Sequence, residues 1–509
     1  MVTRDTTLPA GRYEFAGPVV VREAVLRLEA GAHLVFQGPH ALLVETGGSL
    51  LALGDSLHPV VLEGDSWQGI RLSATEAGSH LAFCEIRGAG MPAALLLYST
   101  GKTTVTHTWI HGNAGFGVYL NAGARFQAFR FNRLEDNGWY PVLCQDLEAL
   151  QNLDSTNLLG NGGRVGVWID RSVRVQHPIT LRPGPQNPVH LDGDLEITDT
   201  LDLARGLLRL RGQIRVLAGG VFRVRQVLLE PLGASWPGVW VDGGNLDWRE
   251  VTLEAAGTPA YAAVRVQPGS GPVKWVEGTV ASPPGTGVDL GVVPDSVWEV
   301  AVSGAGAVPV ILRHARILAA PLRFSLSDNP SPWIRVNSAR VTASDTWRSP
   351  GAPVVFTGNL SLVSEDGTPT FLYLLPGLEL RFYDYAGLWV GFNGPAGLVA
   401  QGVRFTARDL ADPAWRSLRF GPETVAGTRL DSCILEYGGD VRTQPDSGIV
   451  VITDTQVPVL EGNLIRYSHT YGVYLRGGAD TPAYRQEILS RNTFEANALG
   501  DLGPSLRKP

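Results

Sequence analysis

The chain has 509 residues, of which 61 are Gly and 34 are Pro, so long helices are not expected. Hydrophobic residues make up 44% and charged residues 18%, which excludes a disordered chain and provides for a large core. The net charge of −7 argues against nucleic acid as a partner, no apolar run is long enough for a transmembrane segment, and the first residues lack the apolar core of a signal peptide.

The first third of the chain contains a short repeat. Apolar residues recur every 24 residues at Ile86, Ile110, Leu134 and Leu158. The column three positions later reads Ala89, Asn113, Asn137 and Asn161, and the column two positions earlier reads Cys84, Thr108, Asn132 and Thr156. Because a unit of this length cannot bury its own strands, the repeat predicts a parallel β-solenoid with about 24 residues per coil. Corner asparagines would then hydrogen-bond to like residues of the next coil.

Charged residues follow each apolar residue of the repeat. The next position reads Arg87, His111 and Glu135, and the C-terminal copy reads Glu436, Arg466 and Glu495. We expect these side chains to form outward ladders of mostly alternating sign. A general-base role for His111 is the alternative, and a pairing role is the interpretation that we favour.

The three cysteines, Cys84, Cys144 and Cys433, have no CxxC spacing. They predict neither a disulfide framework nor a zinc site, and we expect buried thiols.

A longer repeat relates three parts of the chain. The phrases DSWQGIRL, ASWPGVWV and PAWRSLRF align through Trp67, Trp236 and Trp415. Since the flanking sequences align as well, we predict three tandem segments of about 170 residues, with limits near 1–175, 176–345 and 346–509, forming one continuous solenoid. A bulky aromatic residue that is kept in every copy is expected to pack in the core.

Several phrases of the chain resemble a known family. They include LEAGAHLVF (28–36), LLPGLELRF (374–382), the W-x-G-I-x-L phrase at Trp67 and the N-x-φ-x-x-N corners at 132–137 and 492–497, with φ apolar. The chain is similar in these to the secreted bacterial right-handed parallel β-helix proteins of the pectate-lyase-like superfamily. The resemblance implies a right-handed coil of three strands, a secreted or cell-envelope location, and a flank that in some members binds or cleaves polysaccharide.

The lyase motifs of that superfamily are not matched. VWID (167–170) is followed by Arg171 rather than His, and no R-x-P-x-x-R phrase occurs. The sequence therefore favours a protein that is not an enzyme, with Asp170 as an exposed strand end.

The middle segment carries acidic residues that its copies lack. The alternation in HLDGDLE (190–196) predicts that His190, Asp192, Asp194 and Glu196 project from one strand face. Residues two apart on a strand are separated by about 6.5–7 Å, which suits the carboxylates of an inverting glycosidase or a Ca²⁺ site at Asp192 and Asp194. An ordinary solvated face is the interpretation that we favour.

Basic residues follow the acidic ones. Residues 205–229 contain six arginines and no Asp or Glu, and these are Arg205, Arg209, Arg211, Arg215, Arg223 and Arg225. They could bind an acidic glycan or sulfate, or could pair with the acidic residues at 190–202 one coil away. We favour the pairing, since a solenoid stacks sequence neighbours. Trp240 and other tryptophans of this segment could offer platforms for sugar rings.

These features predict a non-catalytic extracellular or cell-envelope protein with a structural, adhesive or glycan-binding role, and without a cofactor. The alternative is a polysaccharide lyase or glycoside hydrolase that acts on an acidic polysaccharide with a site in the middle segment. A module from a larger surface protein is a third reading. The fold alone assigns none of these functions.

Overall fold

Short parallel strands make up most of the structure. A computed structural model describes residues 1–73, 78–98, 102–160, 164–337, 339–409, 415–439, 447–453 and 456–503. Within these ranges there is one α-helix, Pro482–Arg491, and there are three short 3-10 helices, Glu148–Asn152, Ala315–Ala319 and Gly477–Ala479. The prediction of an all-β parallel solenoid with about 24 residues per turn is confirmed. No helix of the described part is long and apolar enough to cross a membrane.

The chain divides into two compact units, residues 1–256 and residues 257–509. Their boundary falls inside the predicted middle segment. The division into three segments and the right-handedness of the coil stay predictions.

In unit 1, each turn contributes strands that pair in parallel with those of the turns before and after it. Sheet 1 contains Thr6–Leu8, Val25–Glu29, Ser49–Leu53, His80–Ala82, Thr104–Thr106 and Ala128–Arg130. Sheet 2 contains Gly11–Phe15, Ala32–Phe36, Val60–Trp67, Cys84–Ala89, Trp109–His111, Arg133–Glu135 and Leu158–Leu159. Sheet 3 contains Val19–Val21, Leu42–Val44, Ile70–Leu72, Ala93–Leu97, Phe116–Leu120, Val142–Cys144, Val167–Ile169, Ile179–Leu181, Gly184–Leu191, Thr200–Leu210, Val221–Pro231 and Asn245–Glu254. Sheet 4 contains Val173–Val175, Leu195–Ile197, Ile214–Leu217 and Val239–Asp242.

Unit 2 is built in the same way, from parallel strands that pair between successive turns. Sheet 5 contains Val264–Val266, Val288–Leu290, Val310–Leu312, Ile334–Val336, Val354–Phe356, Glu379–Phe382, Arg404–Ala407, Ile434–Glu436, Leu464–Arg466 and Thr493–Glu495. Sheet 6 contains Val273–Ala281, Ser296–Ser303 and Leu322–Ser325. Sheet 7 contains Ala339–Val341, Leu360–Val363, Leu388–Asn393, Leu418–Phe420, Gly448–Thr453, Tyr471–Arg476 and Gly500–Leu502. Sheet 8 contains Asp345–Trp347, Thr370–Leu374, Ala396–Gln401, Arg429–Asp431 and Val459–Glu461.

Single residues with left-handed backbone form one corner of unit 1. Phe83 and His107, with φ of 52° and 50°, lie where a strand of sheet 1 gives way to a strand of sheet 2. In the longer strands of sheet 3, Arg205, Gln226 and Glu250 occupy mid-strand positions with φ of 54°, 56° and 54°. Because a left-handed residue reverses the local twist, each long strand bends there and places this residue on an outer corner.

Glycine forms another corner of the turn, as the composition suggests. Gly88 and Gly112 follow strands of sheet 2 and have φ of 68° and 60°. A Cβ at Gly88 would lie 2.2 Å from the carbonyl oxygen of Gly64 in the preceding turn, so this position excludes any side chain.

The core confirms the short repeat but corrects its last unit. Ile110 pairs in register with Leu134, and Leu134 pairs with Leu159 rather than Leu158. Leu158 is 54% exposed whereas Leu159 is 3% exposed. The fourth unit is therefore one residue longer than the 24-residue period predicts, and a slip of one residue moves a strand side chain to the opposite face.

The asparagine ladders form as predicted, with the same shift. Asn113 Nδ2 donates to Asn137 Oδ1 at 2.8 Å, and Asn132 Nδ2 donates to Asn157 Oδ1 at 3.1 Å. The predicted partner of Asn132, Thr156, does not hold this place, and Asn161 lies outside the described residues. The ladders satisfy buried polar groups between turns.

The three repeated tryptophans occupy equivalent places. Trp67, Trp236 and Trp415 are at most 1% exposed. The indole Nε1 of each donates to a main-chain carbonyl one turn later: that of Arg87 at 2.9 Å, Glu254 at 3.1 Å and Glu436 at 2.8 Å. The predicted packing role is thus confirmed, and the exact placement of the N–H group explains why Trp recurs rather than Phe.

The predicted charge ladders and thiols are also present. Arg87, His111 and Glu135 pair in register, as do Glu436, Arg466 and Glu495. All three cysteines are buried and unbridged. Burial raises the pKa of the Cys84 thiol to about 12 and that of Cys433 to about 11.

Candidate ligand-binding sites

The acidic phrase of the middle segment does not form one face. The strand Gly184–Leu191 of sheet 3 ends before Asp192, and the next strand, Leu195–Ile197, belongs to sheet 4. Asp192 and Asp194 therefore lie in the turn between two sheets, and His190 and Glu196 belong to different sheets. The prediction of a common face is wrong, because the alternation argument requires one continuous strand.

Each acid of this turn has a structural partner. Asp192 Oδ1 lies 2.9 Å from Arg211 Nη1, and Asp194 Oδ1 accepts a hydrogen bond from the main-chain N–H of Gln213 at 2.8 Å. Glu196 pairs in register with Arg215 of the next turn. Within the described ranges, no three His, Cys, Asp or Glu side chains are grouped so that they could hold a metal ion. The geometry thus makes these carboxylates pairing groups between turns.

Several of the predicted arginines are engaged in the same way. Arg223 lies 3.8 Å from Asp202 and 3.2 Å from Asp247, and Arg209 forms an ion pair with Glu230. With Arg211 on Asp192, these contacts confirm that acidic and basic blocks pair between adjacent turns. Arg215 instead donates from Nε to Gln213 at 2.9 Å and lies over the Trp240 ring at 5.9 Å.

The remaining arginines line a groove at the left-handed corner. Four of them, Arg182, Arg205, Arg225 and Arg249, border a space of about 640 Å³ together with Ser155, Gln226 and Glu250. We call these four residues the arginine corner. All four side chains are exposed. They come from successive turns, since Arg225 pairs in register with Ala204 on one side and with Arg249 on the other.

The arginine corner carries more positive charge than its surroundings compensate. Arg205 Nε donates to Gln226 at 3.4 Å, and Arg249 lies 3.4 Å from Glu250, the only carboxylate lining the groove. Among the described residues, Arg182 and Arg225 have no ion pair or hydrogen bond through their side chains. Two exposed guanidinium groups are therefore available for an anion.

Sequence analysis missed two members of this group. Arg225 was among the predicted residues, but Arg182 and Arg249 were not. Arg182 lies 23 residues before Arg205, and Arg249 lies 24 residues after Arg225. The coil period would have found both, because residues one period apart meet in a solenoid.

A second groove lies on the outer face of sheet 2. Glu63, Asp65, Arg87 and His111 line a space of about 520 Å³, which we call the glutamate groove. Arg87 Nε donates to Glu63 Oε2 at 2.7 Å, and His33 Nε2 lies 2.7 Å from Glu63 Oε1. Burial acts to raise the pKa of Glu63, but the hydrogen bonds and charges of Arg87 and His33 outweigh it and lower that pKa.

His111 enters the same network through a neighbouring carboxylate. Its Nε2 lies 3.1 Å from Glu85 Oε1, and Arg87 Nη1 donates to that oxygen at 2.8 Å. The ring of Trp109 stacks on His111 with centroids 3.7 Å apart. His111 is thus paired, as favoured from the sequence, and it also lines a groove that contains two carboxylates.

No protein-family model matches the chain, and no curated protein shows significant similarity to it. The functional argument therefore depends on the two grooves and on the surfaces around them.

Proposed function

We propose that this is a non-catalytic protein of the cell envelope or extracellular space that binds an acidic polysaccharide along the arginine corner. The observation that carries the proposal is the groove itself, in which four arginines from successive turns face one carboxylate. The fold supports an elongated ligand, because equivalent side chains of adjacent turns are spaced about 4.8 Å apart.

The chemistry of arginine favours such a ligand. A guanidinium group donates two parallel hydrogen bonds to a carboxylate or sulfate, which gives geometric selectivity that a lysine lacks. Arg182 and Arg225 need not break an ion pair in order to bind, whereas Arg211 would have to leave Asp192. Since the side chains are exposed, we expect the affinity to fall as ionic strength rises.

The test is a binding titration of uronate-containing and sulfated polysaccharides against the double variant Arg182→Ala/Arg225→Ala. We expect the affinity to fall about tenfold or more, since hydrogen bonds to charged groups contribute about 1.5–3 kcal/mol each. Arg211→Ala is the matched control, because it removes an exposed arginine that is already paired. Equal losses in both variants, or equal binding of neutral polymers, would refute the proposal.

A second candidate function is cleavage of an acidic polysaccharide at the glutamate groove. Glu63, Asp65, Arg87 and His111 combine two carboxylates with a cation and a histidine on one exposed surface, as a hydrolase or lyase requires. New reducing ends or unsaturated ends that vanish in Asp65→Asn, but persist in Asp192→Asn, would support it. Unchanged polymers after long incubation would exclude this function for the substrates tested.

A further inference from the structure

A cluster of aromatic side chains lies on the outer side of sheet 3 in unit 1. It consists of Phe116, Tyr119, Trp139, Tyr140 and Trp168, which we call the aromatic face. Tyr119 and Trp168 project from the strands Phe116–Leu120 and Val167–Ile169, and both pair in register with Leu143 between them. Sequence analysis did not single out this cluster, because its members come from three turns and two loops.

The rings of the aromatic face hold one another in place. Tyr140 stacks on Trp168 with centroids 4.7 Å apart, and Phe116 meets Trp139 at 5.4 Å. Phe116 and Leu143 are buried beneath, while Tyr119, Tyr140 and Trp168 pack on them and stay partly exposed. The amphipathic rings are thus fixed before any ligand arrives, so that binding costs little side-chain entropy.

The outermost ring is the most accessible one. Trp139 is 47% exposed, and the guanidinium group of Arg164 lies over it at 5.7 Å from the ring centroid. Arg164 also donates from Nη1 to the carbonyl of Gly138 at 3.0 Å, which fixes the guanidinium group beside the indole.

The floor of the aromatic face carries no net charge. His190 pairs in register with Trp168, its ring lies 5.1 Å from that of Tyr140, and burial lowers its pKa so that the imidazole is neutral. At the edge, Gln145 Nε2 donates to the hydroxyl of Tyr119 at 2.6 Å, and Asp170 and Arg171 form an ion pair at 3.1 Å. Flat apolar rings are therefore bordered by paired donors and acceptors.

We propose that the aromatic face binds an uncharged pyranose ring of a glycan. The two faces of a pyranose present C–H groups that pack on aromatic rings, while its hydroxyl groups lie at the edge and need donors and acceptors. A purely apolar partner would leave the Tyr119 hydroxyl and the Asp170–Arg171 pair without such contacts at their exposed side. The site goes beyond the acidic-polymer site, since its ligand and its residues differ from those of the arginine corner.

The experiment titrates the full chain with neutral oligosaccharides of β-1,4-glucan, xylan, mannan and α-1,4-glucan, and follows binding by equilibrium dialysis and tryptophan fluorescence. At least one of them is expected to bind, and Trp139→Ala should weaken that binding about fivefold or more. Trp139→Phe should restore most of it. Since Trp139 is exposed, its replacement leaves the core intact.

Trp298→Ala is the matched control, because Trp298 is 40% exposed and has Arg323 over its ring at 5.5 Å. It should not change the affinity, and neither should Arg182→Ala/Arg225→Ala, so that failure of this site and failure of the arginine corner are distinguishable. The proposal is overturned if no neutral oligosaccharide binds, if Trp298→Ala has the same effect as Trp139→Ala, or if the aromatic face instead joins two copies into a dimer that Trp139→Ala dissociates.

Discussion

Replacement of Leu158 and of Leu159 by Ala should have opposite consequences for stability. The 24-residue period places Leu158 in the core, whereas the structure places Leu159 there, with 54% and 3% exposure respectively. Leu159 pairs in register with Leu134, which is fully buried. The two variants differ by one position and involve the same chemical change, so each serves as the control for the other.

The expected magnitudes follow from burial. Leu159→Ala removes a buried isobutyl group and enlarges a small space that it borders with Leu150, Val167 and Leu181. Such a change costs about 2–5 kcal/mol of the free energy of unfolding, with the larger values where the surroundings cannot collapse. Leu158→Ala removes a side chain that is mostly in water and should change stability by less than about 0.5 kcal/mol.

Equilibrium unfolding in urea, followed by both circular dichroism and tryptophan fluorescence, measures the difference. Coincident transitions and an unchanged dependence on urea would show that the two variants unfold from the same state. If Leu158→Ala were the more destabilising variant, the strict 24-residue register would be right and the assignment of Leu159 to the core would be wrong.

Three further predictions test the interior. Burial raises the pKa of the Cys84 and Cys433 thiols to about 12 and about 11, so the thiolate is absent near neutral pH; a disulfide reagent at about pH 8 should label the urea-unfolded chain but not the native one. Rapid labelling of native protein would contradict this. Trp236→Phe should cost about 1–3 kcal/mol in urea unfolding, because the buried carbonyl of Glu254 loses its donor; an unchanged midpoint would show that this hydrogen bond contributes nothing. Asn132→Ala should cost at least as much and increase amide hydrogen exchange in the adjoining turns, since its side chain bonds to both neighbours; exchange that stays as slow as in the parent chain would contradict the ladder.

Most of the fold could be predicted from local pattern. Alternation within strands of three to five residues identified the inward column at Ile86, Ile110 and Leu134, and glycine and asparagine marked the corners. The error at Leu158 arose because a period is an average, whereas each corner can absorb an extra residue at little cost. The error at Asp192 arose because a turn resembles a strand in its hydrophobic pattern when polar and apolar residues alternate.

Less of the candidate sites could be predicted. Sequence analysis recognised the basic run that contains Arg225 and correctly favoured ion pairs with the preceding acids. It did not separate arginines that are paired, such as Arg211, from those that are unpaired, such as Arg182 and Arg225. That difference depends on which residue the next turn brings alongside, and a shift of one or two residues changes the partner.

The sequence by itself determined that this chain is a solenoid, because a repeat too short to fold alone must bury its strands against its own copies. It also determined which side chains point inward in most turns, since alternation in a strand leaves only two faces. Only the tertiary structure decided which outward groups meet. The arginine corner, the glutamate groove and the aromatic face are each assembled from several turns, and their members lie about one coil apart in sequence but adjacent in space.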